Sequence, residues 1–251
     1  MNNSFDRSLV RALGLSALIA LSAVACSKSS PPSEPPPATA EQAVESAGAA
    51  DEGNPAASAE AAPSAADPAA PAAVGQPAPD FTLKSLDGNE YSLSQLKGKT
   101  VVLEWFNPDC PFVRNSHTQG SLKGLAAKHR DAGVQWLAIN SGAPGKQGAS
   151  VESIKAGIEK YNIDYPVLID HTGRVGKQYG AERTPHMYVI DPEGVLVYRG
   201  AIDNSPDGEG KSPEGGKLVN YVEQALLAVR QGAKVETAET KAYGCGVKYA
   251  D

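Results

Sequence analysis

Hydrophobic positions along the second half of the chain fall into two periods. Thr100 to Phe106 is nearly continuously apolar and rich in β-branched residues, interrupted only by Glu104, which predicts a strand buried on both faces. Val134 to Asn140 and the shorter Pro166 to Asp170 read the same way. Between them, Phe112 to Arg130 carries apolar positions at Phe112, Leu122, Leu125 and Ala126 and a late basic cluster, which predicts one helix closed by Asp131-Ala132-Gly133. Ser150 caps a second helix with Val151, Ile154 and Ile158 on one face. Arg174 to Tyr179 reads as a short helix, and Lys217 to Arg230 as a longer amphipathic one. Two hairpins complete the pattern: Phe81 to Leu83 with Glu90 to Leu93 around Asp87-Gly88, and Met187 to Ile190 with Val195 to Tyr198 around Asp191-Pro192-Glu193-Gly194. Strands alternating with helices, then an antiparallel pair and a closing helix, predict an α/β fold with a mixed central sheet flanked by helices and an N-terminal β-hairpin extension.

Composition confines that pattern to part of the 251 residues. Of 19 prolines, 11 fall between Ser27 and Pro79, together with many alanines, and no aromatic residue occurs between Phe5 and Phe81. Such a segment buries too little surface to offset a chain entropy of about 1 to 2 kcal/mol per residue. Residues 26–79 are therefore expected to form a disordered linker, and residues 80–251 one folded domain. The net charge of −6 divides likewise: the linker is acidic, and the domain is nearly neutral. No basic stripe with interleaved aromatics appears, so a nucleic-acid partner is not expected.

The N-terminus gives the linker a purpose. Arg7 and Arg11 precede an apolar run, Ala12 to Ala25, too short for the ~20 residues of a spanning helix, so residues 1–25 read as an export signal. Leu21-Ser22-Ala23-Val24-Ala25-Cys26 resembles a bacterial lipobox, although Ala23 stands where Leu is commonest. The resemblance implies cleavage before Cys26, lipid on its thiol, and an envelope protein anchored on the periplasmic side. Ser27 in place of Asp favours the outer membrane. With Cys26 so used, Cys110 and Cys245 are the remaining thiols, and an oxidising compartment permits them to pair.

Ala78-Pro79-Asp80-Phe81-Thr82-Leu83, Asp87-Gly88, Leu96 to Leu103, Cys110 after a strand, Thr184-Pro185 before another, and Asp191-Pro192-Glu193-Gly194 stand in the order seen in the thioredoxin-like superfamily. The chain resembles its peroxiredoxin-like (AhpC/TSA, redoxin) branch. The resemblance implies a thioredoxin-like fold, no cofactor, and disulfides, thiols or peroxides as partners. Cys110, at a strand-to-helix turn, is the candidate nucleophile, because unpaired N–H groups at a helix start favour thiolate. The flanking Asn107-Pro108-Asp109 and Pro111 suggest that it is exposed in a loop. Val113 stands where a C-x-x-C motif has its second Cys, which leaves Cys245, in the flexible-looking Tyr243-Gly244-Cys245-Gly246, to resolve an oxidised Cys110 or to bridge it structurally. Glu104, six residues before Cys110, occupies the place of the buried acid that relays protons in thioredoxins. Thr184-Pro185 matches the family's cis-proline, whose preceding residue pairs with a substrate backbone, and His186 and His117 are expected near Cys110.

Two residues depart from the peroxiredoxin pattern Pro-x-x-x-Thr/Ser-x-x-Cys: Leu103 and Asn107. An arginine of that family is also replaced at Pro185, so the donors that would polarise a peroxide are missing. The leading expectation is a membrane-tethered extracytoplasmic thiol-disulfide oxidoreductase. A thiol peroxidase is the first alternative. A non-enzymatic binding module is the second, for example a copper chaperone using Cys110, a His and Cys245, although such relatives carry two cysteines in the active loop.

Overall fold

A computed structural model describes residues 71–251. Cys26, the export signal and the linker up to residue 70 lie outside the described residues. The expected N-terminal hairpin forms from β1 (Thr82–Ser85) and β2 (Glu90–Ser92), followed by a 3₁₀ turn at Leu93–Leu96. The chain continues through β3 (Val101–Trp105), α1 (Pro111–Thr118), α2 (Leu125–Arg130), β4 (Gln135–Asn140), α3 (Val151–Tyr161), β5 (Val167–Ile169) and α4 (Arg174–Tyr179). After β6 (Arg183–Thr184) come β7 (His186–Ile190), β8 (Leu196–Gly200), α5 (Tyr221–Arg230) and β9 (Cys245–Gly246).

The main sheet has the order β2-β1-β5-β4-β3-β7-β8. Within it β3, β4 and β5 are parallel, and the hairpin strands at both ends are antiparallel. All five residues of β3 are buried, as a central strand covered on both faces requires. Val101, Leu103 and Trp105 face a core shared with Tyr179, Tyr188 and Leu168; Val102 faces a second core with Trp136, Met187 and Val222. Trp105 packs 4.9 Å from Tyr188 and 5.4 Å from Tyr179, ring centre to ring centre. Each such aromatic pair contributes about 0.5 to 1.5 kcal/mol beyond its buried area. The fold is thioredoxin-like, a mixed sheet between helices.

Three expectations shift. The single helix over Phe112 to Arg130 is two helices, because Gly120 passes so close to the loop at Gly208 that a Cβ would lie 2.1 Å from its carbonyl oxygen, and Gly124 adopts φ +70°. The last helix begins at Tyr221 rather than Lys217: Asn220 accepts from Glu223 N–H at 2.9 Å, while the Asn204 side chain binds Lys217 O and Val219 N–H. The packed fold also reaches back past the expected boundary at Asp80. Ala72 is buried, Ala72 N–H donates to Gln178 O, and the backbone of Gly75 and Gln76 pairs with Leu196 on β8. Alanine there fills a small gap in the core, so a composition poor in large side chains is no obstacle.

Candidate functional site

The turn between β3 and α1 is built by Asn107. Its carbonyl oxygen accepts from Asp109 N–H at 2.9 Å and its amide donates to Gln147 O at 3.1 Å, while its backbone O receives Cys110 N–H at 3.1 Å. Cys110 caps α1 with extended backbone and Pro111 takes the first helical position, where no N–H is needed. The thiol is not exposed as its loop residues suggested: Cys110 is 2% accessible. Its Sγ donates to Thr184 O at 3.0 Å.

Its cover is the C-terminal segment, which is docked rather than free. β9 pairs antiparallel with β6, placing Cys245 opposite Thr184 and Gly246 opposite Arg183. Tyr243 Oη donates to buried Asp203 at 2.8 Å, Val247 N–H to Glu182 O at 3.1 Å, and Tyr249 Oη to Ala181 O at 2.7 Å. Lys248 O accepts from Ala143 N–H at 2.8 Å. Gly244, at φ +113°, touches Thr184, where a Cβ would lie 2.3 Å from the carbonyl oxygen. Both thiols are free and belong to one cluster, with Cys245 half-buried against Cys110. Burial, then the hydrogen bond and charge of Cys110, push the Cys245 thiol up to about 11. The Thr184-Pro185 bond is cis.

The other expected site residues, Glu104, His117 and His186, hydrogen-bond to groups other than the thiols. Glu104 is fully buried on the β3 face of Val102, and its carboxylate binds His117 Nε2 at 2.7 Å, Tyr165 Oη at 2.9 Å and Trp136 Nε1 at 3.3 Å. Burial and then the Glu104 charge hold the Tyr165 hydroxyl well above its ordinary value. Neither Glu104 nor His117 bonds to a cysteine; the His117 ring instead lies parallel to Tyr161, 6.2 Å away. Sequence reasoning missed Tyr165 and Trp136, which sit on loop and strand positions with no distinguishing pattern. Among the described residues, no group of three or more His, Cys, Asp or Glu is placed to hold a metal ion.

His186 likewise makes no hydrogen bond to Cys110. Its Nδ1 accepts from Glu182 N–H at 3.4 Å and contacts Tyr188 Oη at 3.3 Å, with the two rings 4.7 Å apart. Burial, and secondarily Arg199, push its pKa down to about 4. The unfolded chain therefore takes up this proton first as pH falls. Stability is complete above an unfolded pKa of about 6.5 and declines towards pH 4, by about 3 kcal/mol in all. Chemical denaturation of His186→Gln across that range should show the slope reduced by about one proton.

A cleft of about 360 Å³ opens beside Cys110 between α1 and α3, lined by Asp109, Arg114, Ser153, Gly157, Lys160 and Tyr161. A second hollow of about 410 Å³ borders His117 and Tyr165.

Residues 73–214 match the Redoxin family. The chain belongs to the Redoxin family. This redoxin is 32% identical over 124 residues to the thiol-disulfide oxidoreductase ResA of Geobacillus thermodenitrificans, a match covering 49% of this chain and 66% of ResA, just under two thirds. It is also 32% identical over 131 residues to the chloroplastic peroxiredoxin Q of Triticum aestivum, covering 49% of this chain and 57% of that one. Among solved structures, an uncharacterized conserved protein from Geobacillus kaustophilus superposes with a TM-score of 0.61 at 32% identity, over 71% of this chain and 93% of that one. Family and relatives make this redoxin a thiol-based oxidoreductase.

Proposed function

We propose that this redoxin exchanges disulfides in the cell envelope, with Cys110 as nucleophile and Cys245 as resolving thiol. The observation that carries the reading is the shared contact at Thr184: Cys110 Sγ bonds its carbonyl, and Cys245 is its strand partner. Cys245 is held protonated at neutral pH, so Cys110 attacks first. Its thiolate displaces one sulfur of a substrate disulfide, giving a mixed disulfide and a released thiolate. Cys110 then carries no charge to oppose ionisation of Cys245. The Cys245 thiolate attacks Cys110 Sγ, closes the Cys110–Cys245 bond and expels the second substrate thiolate. Two electrons pass to the substrate, and an external dithiol restores the pair.

Glu104 serves as a proton reservoir beneath α1 in this reading, with His117 linking it to the solvent-open hollow beside it. Thr184 and Pro185 shape the backbone facing the thiols, and His186 packs behind them. Lipid at Cys26 and the acidic linker tether the domain to the envelope, with the outer membrane favoured by Ser27. Differential alkylation and mass spectrometry of the exported protein should find a reducible Cys110–Cys245 bond and a lipidated Cys26. Cys245→Ser should trap a mixed disulfide at Cys110. Two free thiols that alkylate slowly under oxidising conditions would refute the exchange cycle.

The likeness to peroxiredoxin Q favours peroxide as a second reading. The Asn107 side chain, however, is committed to Asp109 and Gln147, and no arginine bonds Cys110 Sγ among the described residues. Peroxide consumption no faster than that of a free thiol eliminates it.

A further inference from the structure

The chain's own C-terminus lies where a protein substrate would pair. Extended peptides bind by adding a strand to a free backbone edge. At β6 that edge is taken: Cys245 and Gly246 pair with Thr184 and Arg183, and Val247 extends the contact to Glu182. The Gly244 backbone lies against the Thr184 carbonyl with no room for a side chain. A polypeptide could reach this edge only by lifting the segment, releasing the bonds of Tyr243, Val247, Lys248 and Tyr249. Lifting it would also carry Cys245 away from Cys110 and halt resolution.

One approach to Cys110 is left open, the cleft between α1 and α3. Its volume of about 360 Å³ lies within the range of small-molecule sites, roughly 300 to 1,000 Å³. Its charge is biased. Arg114 and Lys160 both line it, and neither forms an ion pair among the described residues: Arg114 Nε contacts neutral Asn115 Oδ1 at 3.4 Å, and Lys160 Nζ stands 5.9 Å from the Tyr161 ring centre. The one acid on the wall, Asp109, accepts from Ser153 Oγ at 2.9 Å. Two cations against one carboxylate attract an anion.

From this arrangement we infer that Cys110 reacts with small anionic disulfides entering between α1 and α3, and that the β9 segment excludes extended polypeptides. The inference rests on the disulfide-exchange reading and names its substrate class. The reaction is R–S–S–R with the Cys110 thiolate, giving Cys110–S–S–R and RS⁻; Cys245 then loses its proton to solvent and displaces the second RS⁻.

Reduced full-length protein, mixed with one disulfide at a time, quenched with alkylating agent and weighed by mass spectrometry, tests this directly. Glutathione disulfide should react about tenfold faster than cationic cystamine at low salt, and the preference should vanish in Arg114→Gln/Lys160→Gln. Insulin should react at least about 100-fold more slowly than glutathione disulfide, since attack waits on local opening. Gly244→Ala, whose methyl forces the segment off Thr184, should raise the insulin rate about tenfold or more. Wild-type protein that attacks insulin as fast as glutathione disulfide overturns the inference and leaves disulfide exchange standing. A preference for cystamine overturns the anionic class. Inertness to all three overturns both.

Discussion

Cys110→Ser should lower disulfide exchange by at least about 10³-fold while leaving the fold intact. Serine is slightly smaller but can keep the donor that meets Thr184 O, so the thermal midpoint should move by no more than about 4 °C. The only other thiol in the described domain cannot take over. In the wild-type pair Cys245 is raised to about 11, first by burial and then by the hydrogen bond and charge of Cys110. Burial is the larger cause of that rise and persists in the variant. Stopped-flow exchange with glutathione disulfide, alongside calorimetry, measures both quantities. Retention of a tenth of the wild-type rate in Cys110→Ser would mean that Cys245 attacks unaided and would reverse the assigned order of the two thiols.

Glu104→Ala should cost about 3 to 5 kcal/mol of stability, or roughly 10 °C in the midpoint. The loss is more than one hydrogen bond. His117, Tyr165 and Trp136 all direct polar atoms at this fully buried carboxylate, and removing it leaves each of them without its partner. Glu104→Gln keeps an acceptor and the volume, so it should cost only about 1 to 2 kcal/mol. Because Gln holds no proton to exchange, it also isolates the proposed reservoir role: the pH–rate profile of exchange should change shape while the protein remains folded. A profile that keeps its shape would assign Glu104 to packing alone, and an alanine variant within 1 kcal/mol of wild type would mean the three partners find other acceptors.

The parts of this molecule that write themselves as repeats in the sequence were legible. β3, β4 and β7 are buried on both faces and so appear as nearly continuous apolar runs, and α4 falls on Arg174 to Tyr179 as its pattern suggests. The paired hairpins announced themselves through Asp87-Gly88 and Pro192-Glu193-Gly194. What escaped was long-range. The break at Gly120 is set by Gly208, far along the chain, and nothing near Gly120 signals it. Cys110 looked exposed because its own loop is polar; its cover arrives from Cys245 through main-chain bonds that carry no hydrophobic period. Glu104 reads correctly as a carboxylate in an apolar strand, yet its partners come from α1, β4 and the turn before β5, so which groups it binds is invisible from its own segment.

The outer edge of β8 is closed by the chain itself. Leu196 exchanges backbone bonds with Gly75 and Gln76, and Arg199 with Ala238 and Thr240, so both ends of the domain clasp the same strand. An exposed edge is a template on which neighbouring copies polymerise. Pairing β8 with these flanking segments leaves it no free ladder for a second copy to extend, so edge-to-edge growth would be confined to β2 at the far side of the sheet.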